Sequence, residues 1–276
     1  MEFLEVYNQR YHMQGFTSGN GYMYWSFTDT LVKTTMDGIV RRQVEVFGGH
    51  LGDCDYHDGK IYVSYMGNSP PNSYWEDWTA FKIYIFDAED LSLINTLDLD
   101  ICYKYKSLAR TPDDIRGFQG IDGVAIAPDP KTGENKMFVA CALWTDEKYV
   151  NQIILQFTLD GVYETEYYIP TGNTVYGIQN LDYDWTKKEF WFTTYNAAAP
   201  NQDREVLYCV PHDLSGVSRK YHHSTPYGFE ANGDSYFASV HFGERGRCGG
   251  IAFGCDEQFF ESPKNPAEMI KLLKGE

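Results

Sequence analysis

Asp53, Asp122 and Glu230 stand one or two residues after a glycine at the head of three strand-like runs, Leu51-Gly52-Asp53-Cys54, Gln119-Gly120-Ile121-Asp122 and Tyr227-Gly228-Phe229-Glu230, with His50 beside the first. If the fold gathers these heads, two chemistries become available. In the first, a carboxyl group of raised pKa protonates a leaving oxygen while another carboxylate activates water or attacks carbon, which is the chemistry of glycosidic cleavage. In the second, His50, Asp53, Asp122, Asn180 and Glu230 supply oxygen-rich ligation with one imidazole to a divalent cation such as Ca²⁺, Mn²⁺ or Zn²⁺. No local metal signature of the His-Glu-x-x-His kind accompanies them. Gln119 and Tyr227 open two of these same runs, Gln14, Gln179 and Asn180 occupy the corresponding heads of two others, and all five are candidate substrate contacts.

What would gather them is a repeat. Glycines 15, 52, 120, 177 and 228 each open a short run followed by a turn and a stronger β-branched or aromatic run, for example Tyr22-Met23-Tyr24-Trp25-Ser26 after the first and Phe190-Trp191-Phe192-Thr193 after the fourth. Two further runs follow most pairs, as in Phe81–Asp87 and Ser92–Leu97, so each unit reads as four antiparallel strands. Approximate units are 11–46, 47–99, 117–169, 174–221 and 225–260. The last lacks a fourth run, and residues 2–7 at the other end are a lone one, so the expectation is that this segment completes the last unit. Asn265 to Gly275 reads as a short carboxy-terminal helix.

The pattern resembles a five-bladed β-propeller formed by a single domain over residues 1–276. In such a blade the loop entering the innermost strand and the loop joining its second and third strands share one face. The long connections fall there, carrying Trp75, Trp144, Arg116 and Arg245, with His241 at the end of its strand, whereas Asn20-Gly21, His57-Asp58-Gly59 and Asn232-Gly233-Asp234 are turns on the other face. Long loops carry function more often than tight turns do. The first face is therefore expected to hold the site, with Trp75 and Trp144 as sugar platforms, Arg116, His241 and Arg245 as polar contacts, and His57 as a solvated bystander.

The ring of carboxyl groups is similar to that of five-bladed propeller glycosidases such as arabinanases and levansucrase-like enzymes. That resemblance implies a glycoside hydrolase or polysaccharide lyase with Asp53, Asp122, Glu230 and His50 catalytic. Their amino-terminal Asp-Pro type motif is missing near Gln14, so the first carboxylate would come from the second unit. The ring is also similar to that of gluconolactonase-type propellers, which implies a metal-dependent, lactonase-like hydrolase as an alternative. A non-catalytic propeller binding a glycan or a protein is the third reading.

Composition bounds the rest. A net charge of −16 speaks against nucleic acid or an anionic membrane as partner and leaves a small polar or carbohydrate ligand and a monomeric chain as the expectation. Six cysteines without Cys-x-x-Cys spacing read as buried free thiols, with Cys248 and Cys255 as the one cross-strand pair to consider. That usage favours a cytoplasmic setting, whereas a removed signal peptide, which would leave no trace, would imply a secreted or periplasmic one.

Overall fold

A computed structural model describes residues 2–7, 13–67, 78–108, 115–143, 149–196, 205–222, 227–242 and 248–255. The chain is all-β with one short helix, and its strands form antiparallel four-stranded sheets in a propeller arrangement. Strand β1 (Glu2–Tyr7) comes first. Then β2 (Met13–Gly19), β3 (Tyr22–Phe27), β4 (Thr30–Thr35) and β5 (Val40–Glu45) pair in sequence order. So do β6 (Gly49–His57), β7 (Lys60–Gly67), β8 (Ala80–Asp87) and β9 (Leu93–Asp98). After helix α1 (Asp100–Leu108) come β10 (Gly120–Pro128), β11 (Asn135–Ala142), β12 (Asn151–Phe157) and β13 (Tyr163–Pro170). The fourth set is β14 (Thr174–Asp184), β15 (Glu189–Asn196), β16 (Glu205–Pro211) and β17 (Arg219–His222).

These four blades are each built from consecutive strands. The count differs from the five expected because the remaining sheet is composite: β18 (Phe229–Asn232), β19 (Ser235–Phe242) and β20 (Cys248–Cys255) take β1 as their fourth strand, Glu2 opposite Phe253 and Tyr7 opposite Cys248. Innermost strands β2, β6, β10 and β14 pack side by side in that order, and β18 touches both β14 and β2.

Aromatic residues fill much of the core between neighbouring sheets. Trp25, Phe27, Phe138, Phe190 and Trp191 are fully buried between neighbouring sheets, and each such ring contributes roughly 1.5–3 kcal/mol or more by leaving water. The outermost strands are wetter, as the run of exposed residues along β5 shows. Cys54, Cys102, Cys141 and Cys209 are buried free thiols, as expected; the side chains of Cys248 and Cys255 and the expected helix at 265–275 lie outside the described residues. Helix α1 occupies a stretch expected to be loop, where Cys102 and Tyr105, one turn apart, pack into the core against Phe118. Among the described residues no helix is long and apolar enough to cross a membrane.

Hairpin turns between the first two strands are tight for a local reason. Asn20 and Gly21 have φ of 51° and 75°, and Asp58 and Gly59 have 47° and 74°, the pair of left-handed residues that a two-residue hairpin needs and that Asn-Gly and Asp-Gly supply. The second of these turns belongs to the rim of the site described next.

Candidate functional site

The expected ring of polar residues separates into three levels along the axis. At the long-loop end, the His50 ring lies 5.2 Å from Trp78, Gln14 Nε2 donates to Thr28 Oγ1 at 3.0 Å, and Gln179 Nε2 donates to the Tyr176 carbonyl at 3.3 Å. Gln119 is buried with its Oε1 unpartnered, and its carbonyl accepts from Lys106 Nζ at 2.7 Å. Tyr227 meets Tyr195 edge-on at 6.2 Å, while Arg116 is exposed. Trp75, Trp144 and Arg245, together with the His241 side chain, lie outside the described residues.

The middle level is a plug. Asp53, only 2 % exposed, accepts the Leu181 N–H on Oδ2 at 2.9 Å, which ties β6 to β14 across the axis. Asn180 donates from Nδ2 to the Gln14 carbonyl at 2.7 Å, tying β14 to β2, and accepts from Thr193 Oγ1 at 3.0 Å. Asp122 lies beside Gly52 with its Oδ1 buried and unpartnered. Burial pushes both carboxyl groups well above the usual range, against the bonds from Leu181 and Cys54 N–H that favour Asp53 ionised.

Glu230 sits at the third level, toward the tight turns, and does not align with Asp122. Strands β6, β10 and β14 carry irregular register between Leu51 and Cys54, Ile121 and Val124, and Val175 and Asn180, whereas β18 pairs without a break from Phe229. Each bulge inserts residues after the marker glycine, so counting from the glycine drifts out of step. Counted from the hairpin instead, the third pair is Thr17 with Tyr24, Asp55 with Tyr62, Asp182 with Trp191 and Glu230 with Phe237. On β10 the third pair is Ile126 with Met137, so the polar equivalents of Glu230 are Thr17, Asp55 and Asp182.

These four side chains stitch neighbouring inner strands together. Thr17 Oγ1 accepts from Tyr56 N at 3.1 Å, Asp55 Oδ2 from Ile126 N at 2.6 Å, and Asp182 Oδ2 from Ala231 N at 2.8 Å. Glu230 Oε1 accepts from the Ser18 hydroxyl, while its Oε2 is shielded from solvent and has no hydrogen-bond partner. All three carboxyl groups are drawn upward. Burial, with the Glu230 charge nearby, lifts Asp55 to about 7; burial and then Glu230 lift Asp182 well above its usual value; burial lifts Glu230 against its Ser18 bonds.

Together they line an open cavity of about 670 Å³ whose wall includes Thr17, Ser18, Tyr56, Tyr183 and Ala231, and whose rim includes Asn20, His57, Asp58, Asn135, Trp185 and Asn232. The His57 ring stacks on Trp185 at 5.7 Å and its Nε2 meets Asn135 Nδ2 at 3.1 Å, so His57 is built into the rim rather than idle in solvent. Burial holds its pKa below the ordinary imidazole value. This cavity thus opens on the face of tight turns; much of the long loops on the opposite face lies outside the described residues. Asp55 and Asp182 were overlooked in the sequence because only a hairpin-based alignment puts them level with Glu230.

The five residues considered as metal ligands sit in different surroundings, with Asp122 beside Gly52. Glu230 is at the turn level, Asp53 and Asn180 are engaged with backbone groups in the plug, and His50 lies against Trp78. Among the described residues no group of three or more His, Cys, Asp or Glu side chains is arranged to hold a metal ion.

No protein-family model and no curated protein sequence matches the chain. Solved structures do. Glutaminyl cyclase from Myxococcus xanthus superposes with a TM-score of 0.50 at 9% identity, covering 93% of this chain and 100% of that one. The likeness is one of fold. A protein of unknown function from Bacteroides caccae gives 0.47 at 9% identity over 86% of this chain and 73% of that one. The calcium-binding protein regucalcin from Agrobacterium tumefaciens gives 0.45 at 10% identity over 88% and 76%.

Proposed function

We propose that the protein is a carbohydrate-active propeller enzyme that cleaves its substrate in the cavity on the turn face, with the composite sheet β18-β19-β20-β1 serving as a fifth blade that closes the ring. The observation that carries this reading is the convergence of three carboxyl groups of raised pKa, Asp55, Asp182 and Glu230, on one open cavity. Environments that pull carboxyl pKa values away from 4 are what acid/base catalysis needs at neutral pH. Glu230, whose pKa burial raises and whose Oε1 accepts from the Ser18 hydroxyl, is assigned as the acid that protonates a leaving oxygen. Asp55, half ionised near pH 7, is assigned as the base. Trp185, 48 % exposed on the rim, offers a flat aromatic surface to a sugar ring. Of the residues singled out from sequence, Glu230 belongs to this site, and Asp53 and Asp122 are assigned to the plug beneath it.

A glycan panel with reducing-end detection tests the assignment. Turnover is expected to fall 10²- to 10⁴-fold in Glu230→Gln, the usual contribution of a general acid, with ligand binding retained. Unchanged turnover in both Glu230→Gln and Asp55→Asn would remove the enzymatic reading.

One observation favours a second reading, a propeller that binds without cleaving. Asp55 and Asp182 each commit an oxygen to a backbone N–H of the next strand, a structural task that a mobile acid/base does not need. Saturable glycan binding with no turnover anywhere in the panel would select it.

A further inference from the structure

We infer that the cavity on the turn face takes a ligand carrying a protonated amine, an amino sugar rather than a neutral one. This rests on the reading of that cavity as the ligand site and specifies what its walls recognise.

Charge on the walls is one-sided. Asp55 comes from β6, Asp182 from β14 and Glu230 from β18, with Asp58 exposed on the rim, and no lysine or arginine is among the lining residues. Burial draws the His57 imidazole below its ordinary pKa, which disfavours a cation on the wall. Glu230 adds an independent sign of a missing partner: one of its oxygens is bonded to Ser18, and the other is buried and accepts nothing. The terminal torsion of a glutamate is broad, so the carboxyl group turns readily between its hydroxyl partner and the cavity. A buried acceptor without a donor is unfavourable, and a donor arriving with a ligand removes that cost.

An ammonium group suits this wall better than a hydroxyl does. It brings three N–H donors and a full charge, and hydrogen bonds to ionised carboxylates are roughly twice as strong as neutral ones. The face of Trp185 on the rim is a further site of attraction for a cation. Docking is coupled to one proton transfer. The O–H bond of a protonated carboxyl group breaks, its proton goes to solvent, and the carboxylate left behind pairs with the ammonium. Asp55 is poised for that exchange near neutral pH, with Tyr56 and His57 on its own strand, Asp58 in the turn after it, Asp182 and Tyr183 on β14 and Glu230 on β18 as the other titratable groups lining the cavity.

Calorimetry of the whole chain at pH 6.5 in two buffers of different ionisation enthalpy tests this, using glucosamine, glucose, N-acetylglucosamine and 2-aminoethanol as probes. The Trp185 indole N–H resonance, assigned with Trp185→Phe, reports whether each probe occupies the cavity. Glucosamine is expected to bind at least tenfold more tightly than glucose, with net proton release. Glu230→Gln is expected to abolish that preference, and Asp58→Asn, on the exposed rim where folding is not at stake, to reduce it. Glucose binding as tightly as glucosamine, without proton release, overturns the amine inference and leaves the carbohydrate site standing. Binding of 2-aminoethanol with glucosamine no tighter supports the amine and removes the sugar. No shift of Trp185 with any probe overturns both.

Discussion

Asp53 illustrates how one carboxyl group can read as catalytic and act as a tie. Its Oδ2 accepts the Leu181 N–H across the axis, and the residue is almost wholly buried. Replacing it by alanine leaves that N–H buried without an acceptor, so Asp53→Ala is expected to lose about 1–3 kcal/mol of stability in chemical denaturation. Asp53→Asn retains an acceptor oxygen and removes the need to bury a charge, so it is expected to stay within about 1 kcal/mol of the parent. Equal losses in the two variants would show that the bond to Leu181 is not what Asp53 contributes. Glu230 is the contrasting case, with one oxygen committed to Ser18 and one uncommitted, in a cavity rather than a plug.

At the scale of elements, the inner strands approach so closely that side chains of one lie on the backbone of the next. A Cβ added at Gly52 would overlap Asp122 Oδ1 and Ser64 Oγ and come within 2.9 Å of the Asp122 carbonyl. Gly52→Ala is therefore expected to be destabilising by about 1–3 kcal/mol, the cost of overpacking, and a neutral thermal shift would show that β6 and β10 can separate freely. Strand β1 is the other element whose place has a measurable consequence. Deleting residues 1–7 strips β20 of its outer partner, and the exposed edge is expected to lower the unfolding temperature and promote self-association seen by light scattering. Much of this was legible in the sequence. Alternating apolar runs and the Asn20-Gly21 and Asp58-Gly59 turns mark strands and hairpins because each has a local physical cause. A bulge has none that a single sequence displays, so the bulges in β6, β10 and β14 hid the equivalence of Asp55, Asp182 and Glu230. Helix α1 was hidden by its β-prone tyrosines, Tyr103 and Tyr105, whose helical placement is decided by packing on Phe81 and Phe118. His57 was set aside because it belongs to a turn, and a turn is functional only when the fold makes it the rim of a cavity.

For the whole molecule, the concentration of elevated carboxyl groups along the axis sets the direction of pH dependence. Asp55 has a folded-state pKa of about 7 against a reference of 3.8, and Asp53, Asp122, Asp182 and Glu230 are shifted the same way. Above roughly pH 4 the unfolded chain gives up these protons while the folded chain holds them to higher pH, for Asp55 to about 7, so the folded state binds more protons and stability falls as pH rises. Their contribution is fully present below pH 4 and is lost as pH passes through the folded values, for Asp55 near 7. Two carboxylates act in the opposite sense. Asp129, despite partial burial, is held low by the Thr132 and Lys131 N–H groups, and Glu164, likewise, by Lys136, so their contributions disappear in strong acid. Maximum stability is therefore expected in mild acid, near pH 4–5, with the unfolding temperature declining steadily toward pH 8. Relief of self-repulsion near the isoelectric point of about 4.8 acts in the same direction, but added salt screens it between exposed charges and leaves the buried axis nearly untouched. The decisive comparison is thus made at high salt between the parent chain and Asp55→Asn. The variant cannot ionise at that position, so its stability is expected to decline less between pH 5 and pH 8 than that of the parent. Parallel pH profiles for the two proteins would mean that Asp55 does not hold its proton through this range, and with that its assignment as a base poised at neutral pH would go.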